Sequence, residues 1–359
     1  MKKFKLSALL IFAALFVFSA CGGGGGGGSD DPKDPGNPGD NSGDDPKNPK
    51  DDPKDLDDDP VLTYALPGGT VFKMIMTPDI ATDNKFPTIT DDKGSAYVPE
   101  RFVMSETEVT YQLWKEVYDW ATSPDRGALK YTFINAGREG SDGIDGAAPT
   151  ETSKNEPVTQ IEWWDSIVWC NALTEYYNTY NGSEPDLECV YTHSYETIRD
   201  SSDSNVTYLK GAVKNSSAKG FRLPMSREWE YAARYIGITK PSHENYILKD
   251  GIYYTKGNSA SGAIADCSNV YATIVVAVYN VSRTAVVKSK GVGSANALGF
   301  FDMSGNVEEW CYSPYILNRD KRGGSYNCSA DYVSVGLEFD NISPNSVSND
   351  CGFRVSRNK

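Results

Sequence analysis

Seven consecutive glycines at residues 22–28 open a stretch that cannot fold, and this confines any structured domain to the residues beyond it. From residue 29 to residue 60 the chain is Asp, Pro, Lys, Asn, Ser and Gly, with Leu56 as the one large apolar side chain. Nothing in it buries enough surface to offset the entropy of ordering the backbone. The same stretch holds 12 Asp and 4 Lys, a net charge of −8, so its aspartates repel one another and extend it. A flexible coil of this length spans about 35 Å. Its expected role is a spacer that holds a domain away from whatever the N-terminal end is attached to.

That attachment is legible in residues 1–20. Lys2, Lys3 and Lys5 form a basic start, and residues 6–18 are an apolar run of signal-peptide length, short for a membrane span. The run closes on Phe18-Ser19-Ala20-Cys21, which resembles a bacterial lipobox with Phe18 where Leu is usual. The resemblance implies cleavage before Cys21 and a diacylglycerol on its sulfur. The alternative is an ordinary secretory leader. Each buried methylene of an acyl chain contributes about 0.8 kcal/mol, so several chains anchor firmly. The expected organisation is a lipoprotein signal peptide at 1–20, an acylated Cys21 with a tether to 60, and one domain at 61–359. Such a protein would sit on the cell surface or the periplasmic face of the envelope and meet the membrane through its lipid alone.

The chain carries −14 in total, of which residues 61–359 hold −9. That excludes nucleic acid and anionic lipid as natural partners of the domain surface. Beyond Cys21 six cysteines remain: Cys170, Cys189, Cys267, Cys311, Cys328 and Cys351. Disulfides are permitted outside the cytoplasm. Proximity suggests Cys170–Cys189 and Cys328–Cys351, against the alternative of buried free thiols; sequence does not fix the pairing. With no CxxC and only His193 and His243, a zinc site is not expected, nor is a three-histidine iron centre.

Aromatic residues make up 12% of the chain, enough for a large core, while Tyr, Gly, Asn and Ser fill long connections, so a loop-rich α+β fold is expected. Three helices can be placed. Thr110 can cap one with Leu113, Val117 and Trp120 facing inward. Residues 164–177 put Ile167, Cys170, Leu173 and Tyr177 on one face. Ser226 can cap a third that turns Trp229, Ala232 and Ala233 inward.

Eight short motifs occur in order along the domain. They are Pro67-Gly68-Gly69-Thr70, Glu106-Thr107-Glu108-Val109-Thr110, Glu156-Pro157-Val158-Thr159 and Gly220-Phe221-Arg222-Leu223-Pro224. Next come Glu228-Trp229-Glu230-Tyr231-Ala232-Ala233-Arg234 and Asn296-Ala297-Leu298-Gly299-Phe300-Phe301-Asp302-Met303-Ser304-Gly305-Asn306-Val307-Glu308-Glu309-Trp310. Arg322-Gly323-Gly324-Ser325-Tyr326 and Gly352-Phe353-Arg354-Val355 close the set. Together they resemble the formylglycine-generating enzyme (sulfatase-modifying factor) family from about residue 64 onward. The resemblance implies that family's variant of the C-type-lectin-like fold, with few regular elements and long loops.

The residue chemistry fits such a scaffold. Two glycines before Ser325 permit a tight turn or close packing. Arg222, before a proline, can clamp a carboxylate. Asp302 and Glu309 are hard oxygen donors around Gly305. The resemblance carries a structural calcium onto this loop, held by the side chains of Asp302 and Glu309 and the carbonyls of Gly305 and Val307. A hydrogen-bonded turn without metal is the alternative.

Active family members oxidise a cysteine of an exported sulfatase, in a C-x-P-x-R context, to formylglycine with O₂ and copper(I) held by two thiolates. The first thiolate aligns with Cys328, beside Ser325; the second position is Val333, which offers no ligand. Cys351 would substitute only if the fold brought it near. Glu338 stands near a place where Arg is common, and Met225 replaces the usual capping Thr.

A second implication runs through residues 327–353. Some lipoproteins of this fold have a C-terminal segment diversified by retroelements that mutate adenines, and asparagine codons changed in this way cannot yield Trp, Lys, Gln, Met or Glu. Across 327–353 only Glu338 lies outside the permitted set. Asn327, Ser329, Tyr332, Phe339, Asp340 and Asn341 are then candidate contacts for an extracellular protein or glycan, with Cys328 as one sampled residue. Adaptable Tyr, Asn and Ser side chains suit such a face. A plain surface loop is the alternative.

Overall fold

In the computed structural model, the strands at the two ends of the domain lie in one antiparallel sheet. Its order is Val61–Ala65, Val71–Met76, Phe102–Ser105 and Ser356–Asn358. Ser356 pairs with Met104 and Asn358 with Phe102, so the final strand covers an edge that residues 102–105 would otherwise expose. The structure describes residues 60–78, 85–180, 186–202, 213–214, 217–312 and 319–359. The expected signal peptide, the acylation at Cys21 and nearly all of the tether lie outside the described residues. All described residues belong to one unit, Asp55–Lys359. The fold is the expected loop-rich α+β arrangement, with short strands and few helices.

The first helix, α1 (Tyr111–Thr122), is capped as its sequence predicts: Leu113 donates its N–H to the Thr110 hydroxyl at 3.3 Å. Its buried face carries Tyr111, Leu113, Trp114, Val117 and Ala121. Trp120 is only half-buried, and the Arg126 guanidinium lies over its ring at 3.6 Å. Helix α2 (Trp163–Asn178) departs further from expectation. It has no single inward face, because 13 of its 16 residues are buried. Its polar residues find partners inside. Asp165 accepts from Ser201 and Asn135, Asn171 donates to the carbonyls of Tyr191 and Ile198, and Thr174 accepts from the Phe221 N–H. Trp114 of α1 and Trp169 of α2 stack at 5.7 Å with planes 7° apart, and Phe353 sets its ring edge against both. The Gly-Phe-Arg motif is therefore pinned into the main core.

Helix α3 (Ser226–Arg234) begins one residue earlier than the predicted cap implies. Met225 is the N-cap, donating its N–H to Glu228 at 2.8 Å, and Ser226 is the first helical residue. The Ser226 hydroxyl instead accepts from Arg322 at 2.8 Å and contacts Glu338. Trp229, Ala232 and Ala233 do pack inward. Arg222 clamps a carboxylate as expected, gripping Glu228 through two hydrogen bonds of 2.6 and 2.9 Å. A short helix, α4 (Val270–Val276), is capped by Asn269.

A second sheet runs in the order Glu338–Ile342, Arg319–Arg322, Glu308–Cys311 and Cys351–Gly352, the last pair parallel. It carries residues 338–342 and 351–352 of the segment 327–353. All six cysteines beyond Cys21 are free thiols, so neither Cys170–Cys189 nor Cys328–Cys351 is bonded. Cys170 points into the core on α2, and the Cys189 thiol faces the Asn171 carbonyl at 3.7 Å. The Cys328 thiol meets Ser325, whereas that of Cys351 is buried against its own strand near the Gly352 carbonyl. Among the described residues no helix is long and apolar enough to cross a membrane.

Candidate functional site

The C-terminal segment divides sharply by burial. Residues 321–326 are all buried, and so are residues 351–356. Between them Asn327, Ser329, Tyr332, Asp340 and Asn341 are exposed and Phe339 is half-buried, while residues 333–336 turn inward and hold the loop down. Two glycines make the turn into this segment. Gly323 and Gly324 have φ of 92° and 65°, and a Cβ on Gly324 would sit 2.3 Å from the Tyr332 carbonyl oxygen. The Tyr332 and Phe339 rings lie parallel with centroids 6.0 Å apart, joining the two arms of the loop. Of the predicted contact residues, Tyr332 and Phe339 thus meet, and Asn327, Ser329, Asp340 and Asn341 are exposed along the same segment.

At the root of that segment Ser325, fully buried, lies 2.9 Å from Asn327 Oδ1 and 3.3 Å from Cys328 Sγ. Either Ser325 or Cys328 can be the donor across this contact, since the Ser325 proton also has Asn327 Oδ1 and Asp350 Oδ2 as acceptors. Asn327 Nδ2 donates to Asp350 Oδ2 at 3.1 Å, which ties the start of the segment to its end. Asp350 has no role in the sequence motifs; 25 residues separate it from Ser325, and only the fold joins them.

The loop that follows Asp302 supports this root. Gly305 has φ of 80°, and a Cβ there would lie 2.2 Å from the Val278 carbonyl oxygen. Glu309 is held from two sides: Arg354 donates to both its oxygens at 2.6 and 2.7 Å, and Trp229 Nε1 donates at 2.8 Å. Arg354 also reaches the carbonyls of Phe301 and Ser105. Glu108 joins the cluster, accepting from Val307 N–H at 3.3 Å and Asn306 Nδ2 at 3.1 Å. Burial pushes its carboxyl well above the usual range, and Asp302 and Glu309 push it further. The motif containing Glu108 was visible in sequence, but no pattern there assigned it to this cluster.

For the implied calcium the fit is divided. Asp302 suits a cation: its Oδ2 accepts from the Lys288 N–H at 2.7 Å, and its buried Oδ1 has no hydrogen-bond partner among the described residues. Glu309 does not, because both oxygens are engaged by Arg354 and Trp229. The Asp302, Gly305, Val307 and Glu309 set is complete only if Glu309 leaves the guanidinium. As placed, Arg354 supplies the positive charge that these carboxylates need.

The sulfatase-modifying factor enzyme 1-like domain matches this chain over residues 58–359, most of its length. The chain belongs to that family. The sulfatase-modifying factor scaffold is also seen in solved structures it resembles. Treponema denticola variable protein 1 is 26% identical with a TM-score of 0.57, over 83% of this chain and 99% of that one. CarF is 26% identical with a TM-score of 0.56, over 77% and 97%. A curated relative, the chaperone protein LppX of Paenibacillus barcinonensis, is 29% identical over 226 residues, 57% of this chain and 71% of its own length. These neighbours support the expected variant of the C-type-lectin-like fold.

Copper(I) chemistry of the sulfatase-modifying factor type needs two thiolates. Val333 is fully buried and packs in one apolar cluster with Cys267, Val276, Ala277 and Tyr279. Burial pushes the Cys267 thiol up to about 12 and does the same to Cys351, with Lys321 acting against it in the latter. Among the described residues the Cys328 thiol contacts the Ser325 hydroxyl and the Asn327 amide oxygen, not a second sulfur. The donor set does not fit a two-sulfur copper site.

Proposed function

We propose that this protein is an acyl-anchored surface lipoprotein whose sulfatase-modifying factor domain binds an extracellular partner through residues 327–350. One observation carries the proposal: a set of exposed Asn, Ser, Tyr and Asp side chains is bracketed by two fully buried stretches, residues 321–326 and 351–356. Such a frame allows the face to change while the fold does not. The absent second cysteine points the same way, since Val333 serves packing and not catalysis. The tether gives reach, and a partner outside the cell is where reach is useful.

Binding is tested on the face itself. Cells displaying the wild-type chain are compared with cells displaying a chain in which Asn327, Ser329, Tyr332, Asp340 and Asn341 are all changed to Ala, with residues 333–336 kept. Loss of adhesion to host or neighbour cells at unchanged surface amount supports the proposal; unchanged adhesion counts against it. In the surrounding DNA, a reverse transcriptase gene and a near-repeat of the sequence encoding 327–353 would mark diversification, whereas a sulfatase gene would favour the enzyme. Labelling with palmitate, abolished by Cys21→Ser along with membrane association, tests the anchor.

Formylglycine synthesis is the second reading, favoured by Cys328 beside the buried Ser325. Purified protein is mixed with copper(I), O₂ and a C-x-P-x-R peptide. Aldehyde formation lost in Cys328→Ala would establish it in place of binding.

A further inference from the structure

Helix α4 is built inside out. Its buried residues are Ala272, Thr273 and Val276, while Val270, Tyr271, Ile274 and Val275 are exposed, Tyr271 at 83%. A surface helix ordinarily turns its polar side to water. Here the larger apolar side faces out. Ile264 adds to it, lining with Tyr271 and Val275 a hollow of about 330 Å³ whose far wall includes Gly293. Val292, next to that glycine, is 91% exposed. Scattered exposed apolar residues are normal, but a contiguous group of this kind marks a contact surface.

A buried cluster and two backbone hydrogen bonds join this helix to the segment 327–350. The apolar cluster beneath α4 contains Val333 and is packed by Ala330, both from the 3₁₀ turn that presents Tyr332. The chain leaving α4 is hydrogen-bonded to the root of the same segment: Asn280 N–H to the Cys328 carbonyl at 3.0 Å, and Val281 N–H to the Tyr326 carbonyl at 2.8 Å. The segment itself carries charge of one sign, whereas the chain leaving α4 brings Arg283 and Lys290. Residues 327–353 contain Asp331, Glu338, Asp340 and Asp350 and no Lys or Arg. Asp266 and Asp331 flank the cluster closely enough to act on the Cys267 thiol.

We infer that the outer face of α4 and the segment 327–350 form one docking surface, and that its occupant is a protein with an apolar centre and a basic rim. The inference rests on the proposed binding role of that segment and names the class of partner. Val270, Ile274, Val275 and Ile264 offer no hydrogen bonds, so a sugar laid over them would lose water from its hydroxyls without compensation. A second copy of this chain would bring acidic segment against acidic segment. An anionic membrane meets the same repulsion. A protein hot spot of aromatic and aliphatic side chains ringed by Lys and Arg satisfies both the apolar helix and the acidic border.

The intact chain, immobilised through its tether, is panned with a random-peptide phage library. Enriched peptides are expected to combine aromatic or aliphatic residues with Lys or Arg. Their binding should weaken about tenfold or more in the double variant Ile274→Ser with Val275→Ser, and likewise in Tyr332→Ser. Val71→Ser, exposed elsewhere on the domain, should change nothing, and unchanged melting temperatures show that the variants fold. Loss in Tyr332→Ser alone overturns this inference and leaves the binding role standing. Loss in the helix variant alone breaks the continuity and overturns it. Loss in neither, or a library that yields no binder, overturns both. Self-association abolished by the helix variant overturns the stated partner, as does glycan-array binding that the helix variant leaves intact.

Discussion

Two parts of the C-terminal chain differ in almost every physical respect. Residues 321–326 and 351–356 are buried and contain Arg322 and Arg354, each matched to acids: Arg322 to Glu230, Arg354 to Glu309. Residues 327–350 are exposed or half-buried except at residues 333–336, where they turn into the domain, and they carry acids without bases. The first part is a closed ionic and aromatic lattice, in which each group is specified by several others. The second is held at its ends, at residues 333–336 and along the strand Glu338–Ile342, and leaves its remaining side chains with few partners. The difference teaches how a fold accommodates change: the cost of a substitution is set by how many partners lose their match, not by distance from the site.

The sharpest way to break this comparison is Arg354→Met. It strands the buried Glu309, Asp302 and Glu108 without their guanidinium, and such losses cost about 3–5 kcal/mol. Urea unfolding should show a domain near or beyond its stability limit; a loss below about 1 kcal/mol would mean that the lattice is loose. Next is Gly324→Ala. A methyl 2.3 Å from the Tyr332 carbonyl, at positive φ, forces the turn to shift, with an expected cost of about 1–3 kcal/mol. Partner binding should fall along with melting temperature, because the turn aims the segment.

Glu108 gives a smaller effect with a definite sign. Its folded-state carboxyl titrates well above its unfolded value near 4.5. The folded protein therefore holds a proton that the unfolded chain has released, and this group's contribution is present at low pH and lost as pH rises from about 4.5 through its folded value. Glu108→Gln should flatten that part of the stability–pH curve, measured by denaturation at a series of pH values. A slope unchanged by the substitution would remove Glu108 from the cluster. Smallest are Ser329→Ala and Asp340→Ala, each expected within about 0.5 kcal/mol of wild type. A large destabilisation by either would erase the contrast between frame and face.

How much of the molecule was legible in the sequence depends on the range of its interactions. The Thr110 cap could be read because donor and acceptor are three residues apart. The eight motifs gave the frame, and the glycines before Ser325 gave its turn. Helix α2 reads as one-faced in the sequence because Asp165, Asn171 and Thr174 look solvent-facing until Ser201, Tyr191 and Phe221 arrive from 20 to 47 residues away. Met225 rather than Ser226 caps α3 because Glu228, itself held by Arg222, reaches back to its N–H. Asp350 and Glu108 entered the site through contacts that no local pattern encodes. That Val333 offers no metal ligand could be read from the sequence, but its place in the apolar cluster beneath α4 could not.

The strand Ser356–Asn358 lies downstream of the exposed segment and completes the sheet begun by Val61–Ala65. Translation must pass through residues 327–350 in frame before that strand, Phe353 and Arg354 can be made. A shifted frame or premature stop anywhere in the segment removes all three together, leaving an open sheet edge, an unfilled gap beside Trp114 and Trp169, and an unpaired Glu309. The order of elements thus acts as a proofreading device: only chains that carry the segment intact also carry the residues that let the domain close.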